Sequence, residues 1–486
     1  MRNSKPMLRQ AVRLAIATAA GSAAPLMVLA QATPAENAAA APAVEEVVVT
    51  GSRLLQAPND ISISPITSVG SEEIAKTGLV RVEDVLNMLP QVQMEQGSGN
   101  SISSLGNATV SLRGLGSQRT LVLINGRRMQ PGGSGGVPGP GGSSNSADID
   151  QIPSELIERA DVLTGGASAV YGADAVAGVV NFVLNTHYQG VKIDGSYSWN
   201  HHDNNNQTYL GYLSDFGATL PPSSVNTGQN RTLSVLMGSN FADGKGNATA
   251  YATYLKSSPA VGNQFDHAGC TLNGGSTPNS PITCGGSSTS AHGRFLYLGL
   301  NKKGTSSTAL GDYAIDPKTG QLRAFTRPGD LYNYGSLSYF QRGQERWTAG
   351  GFMTYDVNSH VSVYSETMYA RNTSTAQYGP SGAFVFEVKP ILHCNNPLFT
   401  AQIESTLCSP ANLTANQQLF GLPLDTDPAT ATFEMWMGRR NVEGGPRLDN
   451  YLSASIRQVL GAKGEINDAW TYDVYGQFGI TDFQDR

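Results

Sequence analysis

The sequence predicts an α+β domain followed by an antiparallel transmembrane β-barrel. Two patterns support this prediction. Between residues 57 and 186, short apolar runs alternate with helical turns and glycine hinges, as in a small mixed domain. From residue 187 to residue 486, apolar and polar side chains alternate with a period of two, over segments long enough to cross a membrane as strands.

Composition narrows the class of protein. The chain has 486 residues, of which 40% are hydrophobic and 14% charged, and its formal net charge is −6. A mean hydropathy of −0.22, with no internal apolar run of about 18 residues, predicts no transmembrane helix. The acidic balance gives no support to nucleic-acid binding.

The N-terminus predicts export. Arg2, Lys5, Arg9 and Arg13 form a basic start, and an apolar run, Leu14–Leu29, precedes small residues suited to cleavage. Residues 1–30 are therefore predicted to be a signal peptide. The alternative is an uncleaved amphipathic helix.

Residues 31–56 are predicted to be a flexible arm that carries one strand. An Ala/Pro-rich tether leads into a valine-rich run. A strand on a free arm is an aggregation liability unless a partner strand pairs with it. The alternative is the first strand of the next domain. The residues of this run are Val44, Glu45, Glu46, Val47, Val48, Val49 and Thr50.

Within residues 57–186 the pattern predicts several local elements. Ser71 and Ser154 are suited to cap helical turns, and Val82–Met88 places its apolar residues on one helix face. Thr120–Ile124 and Val179–Leu184 are apolar runs of strand length. The loops Gln93–Gly106 and Pro131–Ser146 are rich in glycine and serine or proline.

From residue 187 onward, about seven alternating strands are joined by short turns and very long connections. This asymmetry is typical of outer-membrane barrels, whereas connections of such length would be unusual on a soluble β-sandwich. A barrel wide enough to enclose a folded domain, such as residues 57–186, needs about 22 strands. We therefore expect this sequence to be truncated, holding about a third of a barrel.

Three motifs resemble the plug domain of TonB-dependent outer-membrane receptors. They are LNMLPQV, VSLRGLGSQRTLVLINGRRM and IERADVLTGGASAVYGADAVAGVVN, in that order. YNYGSLSYFQRGQERW and RRNVEGGPR resemble the barrel of the same family more loosely. The resemblance implies a plug at residues 57–186, the N-terminal part of a barrel at 187–486, and plug apices at the two glycine-rich loops. The alternative for these loops is solvated linker.

The segment EEVVVTGSR resembles the TonB box of this family. The resemblance implies that Val44–Thr50 binds TonB, which acts with ExbB and ExbD, and that the protein lies in the lipid of the cell outer membrane. It implies energised import of a scarce small molecule, such as a siderophore-iron complex or a carbohydrate. The alternative is a passive outer-membrane channel or surface-binding protein.

Three arginines at strand ends are interpreted as a latch. Arg113, Arg127 and Arg128 are expected to pair with carboxylates on the inner barrel wall, with Glu366 as one partner. The alternative is ordinary surface charge.

Four cysteines lie in two long loops. Cys270 and Cys284 are 14 positions apart, as are Cys394 and Cys408. Three pairings are possible, but only the local one needs no contact between the loops. Disulfides are expected in an exported protein. A metal site that recruits His267 and His393 matches no zinc spacing.

No catalytic constellation is evident, so we expect a protein that is not an enzyme and has no cofactor. Gly132–Gly136 reads G-x-S-x-G, but no strand precedes it and no helix follows. The sequence does not identify the substrate. The aromatic loop residues Tyr332, Tyr334, Tyr339 and Phe340 are suited to stacking on sugars or on aromatic ligands.

Overall fold

The structure is a computed structural model that describes residues 66–99, 105–132, 146–274, 277, 280–467 and 469–485. The predicted signal peptide, the run Val44–Thr50 and the first residues of the predicted plug, 57–65, lie outside the described residues. So does most of the predicted loop Pro131–Ser146.

The plug is built on a five-stranded sheet with the order β1-β6-β7-β4-β5, and β2 pairs with β3 beside it. Strands β4 and β7 run parallel, while the other neighbours in the sheet run antiparallel. The strands are β1 (Ile66–Gly70), β2 (Val92–Gln96), β3 (Thr109–Leu112), β4 (Thr120–Ile124), β5 (Arg127–Arg128), β6 (Ile157–Leu163) and β7 (Gly178–Leu184). The helices are α1 (Ser71–Thr77), α2 (Val82–Leu86) and α3 (Ser168–Tyr171).

The central strand β7 explains why this sheet folds. All seven residues of β7 are buried, and its branched and aromatic side chains pack on both faces of the sheet. On one face, Phe182 and Val180 meet Val85 and Leu86 of helix α2 in the plug core. The apolar run of β7, interrupted only by Asn181, thus reflects burial on both sides.

Several predicted elements differ in detail. Helix α1 begins at Ser71 itself, after Gly70, and no side chain caps it. Ser154 begins a single 3₁₀ turn after Pro153 instead of capping a helix. The predicted loop Gln93–Gly106 begins too early, because residues up to Gln96 belong to β2, which pairs with β3. These errors share one cause, since side-chain caps and strand pairing depend on neighbours that a local pattern does not contain.

The rest of the described chain is mostly antiparallel strand. Its strands are β8 (Gly190–Asp203), β9 (Ser224–Phe241), β10 (Gly246–Ser257), β11 (Ala260–Val261), β12 (Thr271–Asn273), β13 (Thr283–Gly285), β14 (Arg294–Leu300), β15 (Ser307–Ile315), β16 (Leu322–Ala324), β17 (Tyr339–Gln341), β18 (Gly343–Asn358), β19 (Val361–Tyr378), β20 (Gly382–Val388), β21 (Ile391–His393), β22 (Thr432–Glu434), β23 (Trp436–Arg440), β24 (Arg447–Asn467) and β25 (Trp470–Asp485). Its helices are α4 (Gln207–Asp215), α5 (Ala401–Leu407) and α6 (Pro410–Phe420).

Seven long strands form one sheet, which we call the wall sheet. Its order is β25-β24-β19-β18-β10-β9-β8, and every neighbouring pair is antiparallel. This confirms the predicted antiparallel barrel strands and their number. The longest strand of the wall sheet is β24, with 21 residues.

The two faces of the wall sheet differ sharply in polarity. In β18, Gln344, Arg346 and Thr348 are buried on the plug side, whereas Trp347 and Met353 are exposed on the other side. The same alternation places Val191, Ile193, Trp199, Leu233, Met237, Trp470, Val474 and Phe478 among the exposed apolar side chains. An apolar outer face and a polar inner face are what a membrane barrel requires.

The long connections fold into small units that the sequence did not predict. Strands β14, β15, β16, β20 and β23 form a five-stranded sheet, on which α6 packs. Cys394, Cys408 and Tyr297 belong to its apolar core. These connections are therefore folded subdomains at one end of the wall sheet.

Within the described part of the chain, no helix combines the length and the apolarity needed to cross a membrane.

Gly178 should be essential for the register of β6 and β7. Its φ is +143°, and a Cβ there would overlap the carbonyl oxygen of Leu163. We expect Gly178→Ala to destabilise the plug by about 1–3 kcal/mol or more. The measurements are the thermal midpoint, which should fall, and the rate of proteolysis, which should rise. The matched control is Gly70→Ala, because Gly70 has a φ of −82° and open space around its Cβ position. Equal effects of the two changes would contradict this.

Candidate functional site: the plug–wall interface

The plug meets the polar face of the wall sheet at two clusters of charged residues. The first surrounds Asp150, and we call it the Asp150 cluster. Arg346 donates from one NH group to Asp150 Oδ1 at 2.6 Å and to the Asp150 carbonyl oxygen at 2.7 Å. Gln344 and Asn372 donate to Oδ2 at 2.6 and 2.8 Å. One plug carboxylate therefore accepts hydrogen bonds from two wall strands.

Local structure explains how these groups converge. Gln344 and Arg346 share the inner face of β18, and Arg346 stands opposite Asn372 of β19 in the register. Asp150 lies in a 3₁₀ turn, Ile149–Gln151, whose N-cap Asp148 accepts a hydrogen bond from the Asp150 amide. Both side chains of the ion pair are almost fully buried, with 2% of Arg346 and none of Asp150 exposed.

Helix α2 adds two further charged residues next to the Asp150 cluster. Arg81, its N-cap, donates to Gln344 Oε1 at 3.2 Å and to Ser257 Oγ at 2.8 Å. Glu83 accepts from the Ser98 hydroxyl at 2.5 Å. Burial, and then the Asp150 carboxylate, raise the pKa of Glu83 to about 7. Glu83 is thus close to its titration point at neutral pH.

The second cluster surrounds Glu366 and is called the Glu366 cluster. Arg127 of the plug donates to Glu366 Oε1 at 3.0 Å, and Arg457 of the wall donates to Oε2 at 2.9 Å. Arg127 also donates to the Tyr364 hydroxyl at 2.7 Å and to Asp473 at 3.0 Å. The guanidinium of Arg127 thus joins a wall network that already contains the carboxylate of Glu366 and the guanidinium of Arg457.

A tight turn aims Arg127 at the wall. Asn125 and Gly126 have φ values of +51° and +74°, which is typical of the Asn-Gly turn between β4 and β5. The amide of Leu184 donates to Asn125 Oδ1 at 2.8 Å, and the amide of Gly126 donates to Asn181 Oδ1 at 2.9 Å. The turn is therefore held from both sides by β7.

Apolar and backbone contacts complete the interface. Leu236, Tyr251, Phe352 and Met368 of the wall belong to the same buried cluster as the plug core. At the rim of the contact, Gln477 and Thr481 of β25 donate to plug carbonyl oxygens at 2.7 and 2.8 Å. The plug is therefore held by a mixture of charge, hydrogen bonds and limited apolar contact.

The structure treats the three predicted latch arginines differently. Arg127 contacts Glu366, whereas Arg128 pairs with Asp174 of the plug and does not reach the wall carboxylate. Arg113 is exposed with a φ of +54°, and no ion pair to it is found among the described residues. The interpretation of Arg113 and Arg128 therefore needs correction. Adjacent side chains of a strand point to opposite faces, so the turn that aims Arg127 at the wall directs the side chain of Arg128 back to Asp174 of the plug.

Sequence reasoning missed the most deeply buried pair, Asp150 and Arg346. Arg346 lies on the polar face of an alternating strand, and this pattern could have predicted that its charge faces inward. Asp150 carries no comparable signal, because the turn that buries it is short and irregular. Sequence reasoning also missed Arg457 of β24 and Asp473 of β25, which belong to the Glu366 cluster.

The cysteines lie in the long connections. Disulfides join Cys270 to Cys284, with 5.7 Å between their Cα atoms, and Cys394 to Cys408, with 5.9 Å. The first spans the β12–β13 hairpin, and the second links β21 to the end of α5. Each closes a local loop, so neither needs contact between the two connections.

The predicted aromatic loop residues do not form one cluster. Tyr332 lies against the Arg440 guanidinium, at 5.6 Å, whereas Phe340 contacts the rings of Phe265 and His267. The structure therefore defines no shared aromatic platform for them.

Residues 59–179 match the family model of the TonB-dependent receptor plug domain. Residues 59–179 are therefore a TonB-dependent receptor plug domain. The match covers strands β1 to β6, including the turn that carries Arg127 and the turn that carries Asp150, and ends at the start of β7. The family is one of outer-membrane transport receptors and not of enzymes, and the fold is a plug followed by antiparallel transmembrane β-barrel strands.

Solved structures that resemble this chain include siderophore receptors. One is a variant of the ferric enterobactin receptor PfeA from Pseudomonas aeruginosa in complex with enterobactin, with 12% identity and a TM-score of 0.40 over 86% of this chain and 45% of that one. Another is the siderophore receptor PiuA from Acinetobacter baumannii, with 13% identity and a TM-score of 0.39 over 87% and 46%. The chain thus spans about half the length of these receptors.

The buried Asp150–Arg346 pair should make a large contribution to plug retention. Asp150→Asn leaves the Arg346 charge buried without its counter-ion, so we expect a loss of about 3–5 kcal/mol. The double variant Asp150→Asn/Arg346→Met should recover part of this, because neither charge then remains buried. Calorimetry of the receptor in detergent, together with protease accessibility of the plug, measures both effects.

The matched control is Arg128→Gln, which breaks an exposed pair with Asp174 inside the plug. We expect this change to cost less than about 1 kcal/mol. A loss for Asp150→Asn no greater than that for Arg128→Gln would contradict the importance of the buried pair.

Glu83 should make the stability of the plug depend on pH. Its folded-state pKa of about 7 lies above its ordinary value of 4.5, so the ionised form opposes folding. The stabilisation is therefore complete below pH 4.5 and is lost as the pH rises towards 7. We expect wild type to lose about 1–3 kcal/mol relative to Glu83→Gln over this window, measured by calorimetry between pH 4.5 and 8. Parallel curves for the two proteins would contradict the assignment.

Proposed function

We propose that this receptor imports a scarce small molecule across the outer membrane, using energy that TonB delivers through Val44–Thr50. The observation that carries the proposal is a folded plug seated on the polar face of an amphipathic transmembrane sheet. A channel that is open at rest would have no need of a buried, multiply bonded stopper on its inner face. Export through a signal peptide at residues 1–30 is part of the proposal.

The contacts of the plug suit reversible displacement. The wall face that it covers is lined by Gln344, Arg346, Asn372, Glu366 and Arg457. Water can replace the plug as hydrogen-bond partner of these groups, so uncovering them leaves few polar groups unpaired. The apolar part of the contact is limited to Leu236, Tyr251, Phe352 and Met368 of the wall. The charged partners cost desolvation energy when they are buried, which offsets part of the attraction between them. The proposed latch of Arg127 on Glu366 is one such contact.

TonB, with ExbB and ExbD, is the proposed partner on the periplasmic side. The run Val44–Thr50 would add as a strand to an exposed sheet edge of TonB. A few backbone hydrogen bonds at roughly 0.5–1.5 kcal/mol each, offset by the ordering of the arm, give weak and reversible docking. Such docking is what a cyclic transporter requires.

The proposed cargo is a siderophore-iron complex, a carbohydrate or a similar nutrient that binds the long connections and the plug apices. The plug is proposed to extend over residues 57–186, and the barrel part over 187–486. Two disulfides brace the long connections, and bracing reduces the ordering entropy that ligand binding must overcome.

Deletion of Glu45–Thr50 tests energy coupling. We expect growth on the transported nutrient as sole source to be abolished, while the surface level of receptor and ligand binding to whole cells stay unchanged. The matched control deletes six residues, 34–39, from the Ala/Pro-rich tether and should retain uptake. Iron, carbohydrate and cobalamin sources are supplied singly to find the cargo.

Each other result identifies an alternative. Uptake that survives the deletion of Glu45–Thr50 would mean a passive channel. Ligand binding without uptake in wild-type cells would mean a surface-binding protein. Loss of uptake in both deletion variants would mean that the length of the arm matters and not the proposed TonB box.

A further inference from the structure

A cluster of two histidines and one aspartate lies at the end of the wall sheet that carries the long connections. His202 is near the end of β8, and Asp266 and His267 follow β11 in the next long connection. The donor atoms His202 Nε2, Asp266 Oδ1 and His267 Nδ1 all lie within 4.8 Å of one another. We propose that these three side chains bind a divalent transition-metal ion of the Zn²⁺ class.

The distances between donor atoms suit a shared metal ion. Asp266 Oδ1 is 3.1 Å from His202 Nε2 and 3.2 Å from His267 Nδ1. Ligand atoms about 2.0–2.1 Å from a tetrahedral Zn²⁺ ion lie about 3.3 Å from each other. The rings of His202 and His267 are 5.1 Å apart and almost perpendicular. Small rotations of the two imidazoles therefore complete the site.

The carboxylate is held in position by a second layer of contacts. The amide of Asn206 donates to Asp266 Oδ2 at 3.1 Å, which leaves Oδ1 for the metal. The amide of Asp266 donates to Asn204 Oδ1 at 2.8 Å, and Asn204 in turn donates to the Gln264 carbonyl oxygen at 2.9 Å. Outer contacts of this kind orient metal ligands and raise affinity.

The surroundings also suit a metal site. Phe265 and Phe340 pack beside the two imidazoles, with ring centroids 5.7 Å from His202 and His267 respectively. Asp266 is buried, whereas about a third of each histidine side chain is exposed. Three protein ligands leave the remaining coordination position open to water on the exposed side.

Such a site would clip two parts of the chain together at the outer rim. It would join the first wall strand to the connection that the Cys270–Cys284 disulfide also braces. The alternative is a hydrogen-bonded cluster in which both imidazoles donate to Oδ1 and no metal binds. The metal site and the hydrogen-bonded cluster differ in one respect. In the metal site the imidazole lone pairs would point at the ion, whereas in the hydrogen-bonded cluster the N–H groups point at the carboxylate. This inference does not depend on the proposed transport function.

Titration of the whole, untagged receptor in detergent with Zn²⁺ tests the site by calorimetry. We expect one tight site in wild type, and a loss of affinity of at least about tenfold in His202→Ala and in His267→Ala. His201→Ala is the matched control. His201 is the neighbour of His202 in β8, but it pairs with Asp203 and Asn226 and does not belong to the cluster. It should bind Zn²⁺ as wild type does.

Co²⁺ provides a second readout that does not depend on affinity alone. We expect visible d–d absorption bands of a low-coordinate site in wild type and in His201→Ala, and their loss in His202→Ala/His267→Ala. Unchanged Zn²⁺ binding in the double variant would overturn the proposal, as would equal losses in the His201→Ala control. Circular dichroism and thermal midpoints identify any variant that is misfolded, for which His202→Gln and His267→Gln are the replacements.

Discussion

The alternation of side chains along the wall strands is the constraint on which the rest of the structure depends. Each strand has one face that is exposed and apolar and one that must be covered or hydrated. Because the period is two, a shift of one residue in register would exchange the faces completely. The plug therefore binds a surface made mostly of amides, hydroxyls and charges, with one limited apolar patch, and its own contact surface is mixed in the same way.

This constraint explains the two charged clusters. A single apolar interface would have needed apolar residues on the inner face of the wall, where they would be exposed whenever the plug moves. Instead, Asp150 accepts from Arg346, Gln344 and Asn372, and Arg127 enters the network of Glu366 and Arg457. Buried ion pairs contribute less net stability than their short distances suggest, because desolvation opposes the Coulomb attraction. They do fix the orientation of the plug, since an unpaired charge there is costly.

The outer end of the molecule uses a different kind of reinforcement. Long connections lie outside the wall sheet and would be poorly ordered without contacts of their own. Two local disulfides, a small five-stranded sheet and the cluster of His202, Asp266 and His267 link these connections internally and to β8. The wall obtains its rigidity from one continuous ladder of hydrogen bonds, whereas the connections combine small sheets with cross-links between side chains.

The sequence by itself determined the fold class, the faces of the wall strands and the Asn125-Gly126 turn, because each depends on local periodicity or on a positive φ. It also pointed to Arg127 and Glu366 as interface residues. Only the tertiary structure decided that Asp150 pairs with Arg346, which lies 196 positions away, and that Arg128 turns back to Asp174. The physical reason is that such pairings depend on the register of the sheet and on how the plug is seated, and no local segment encodes either.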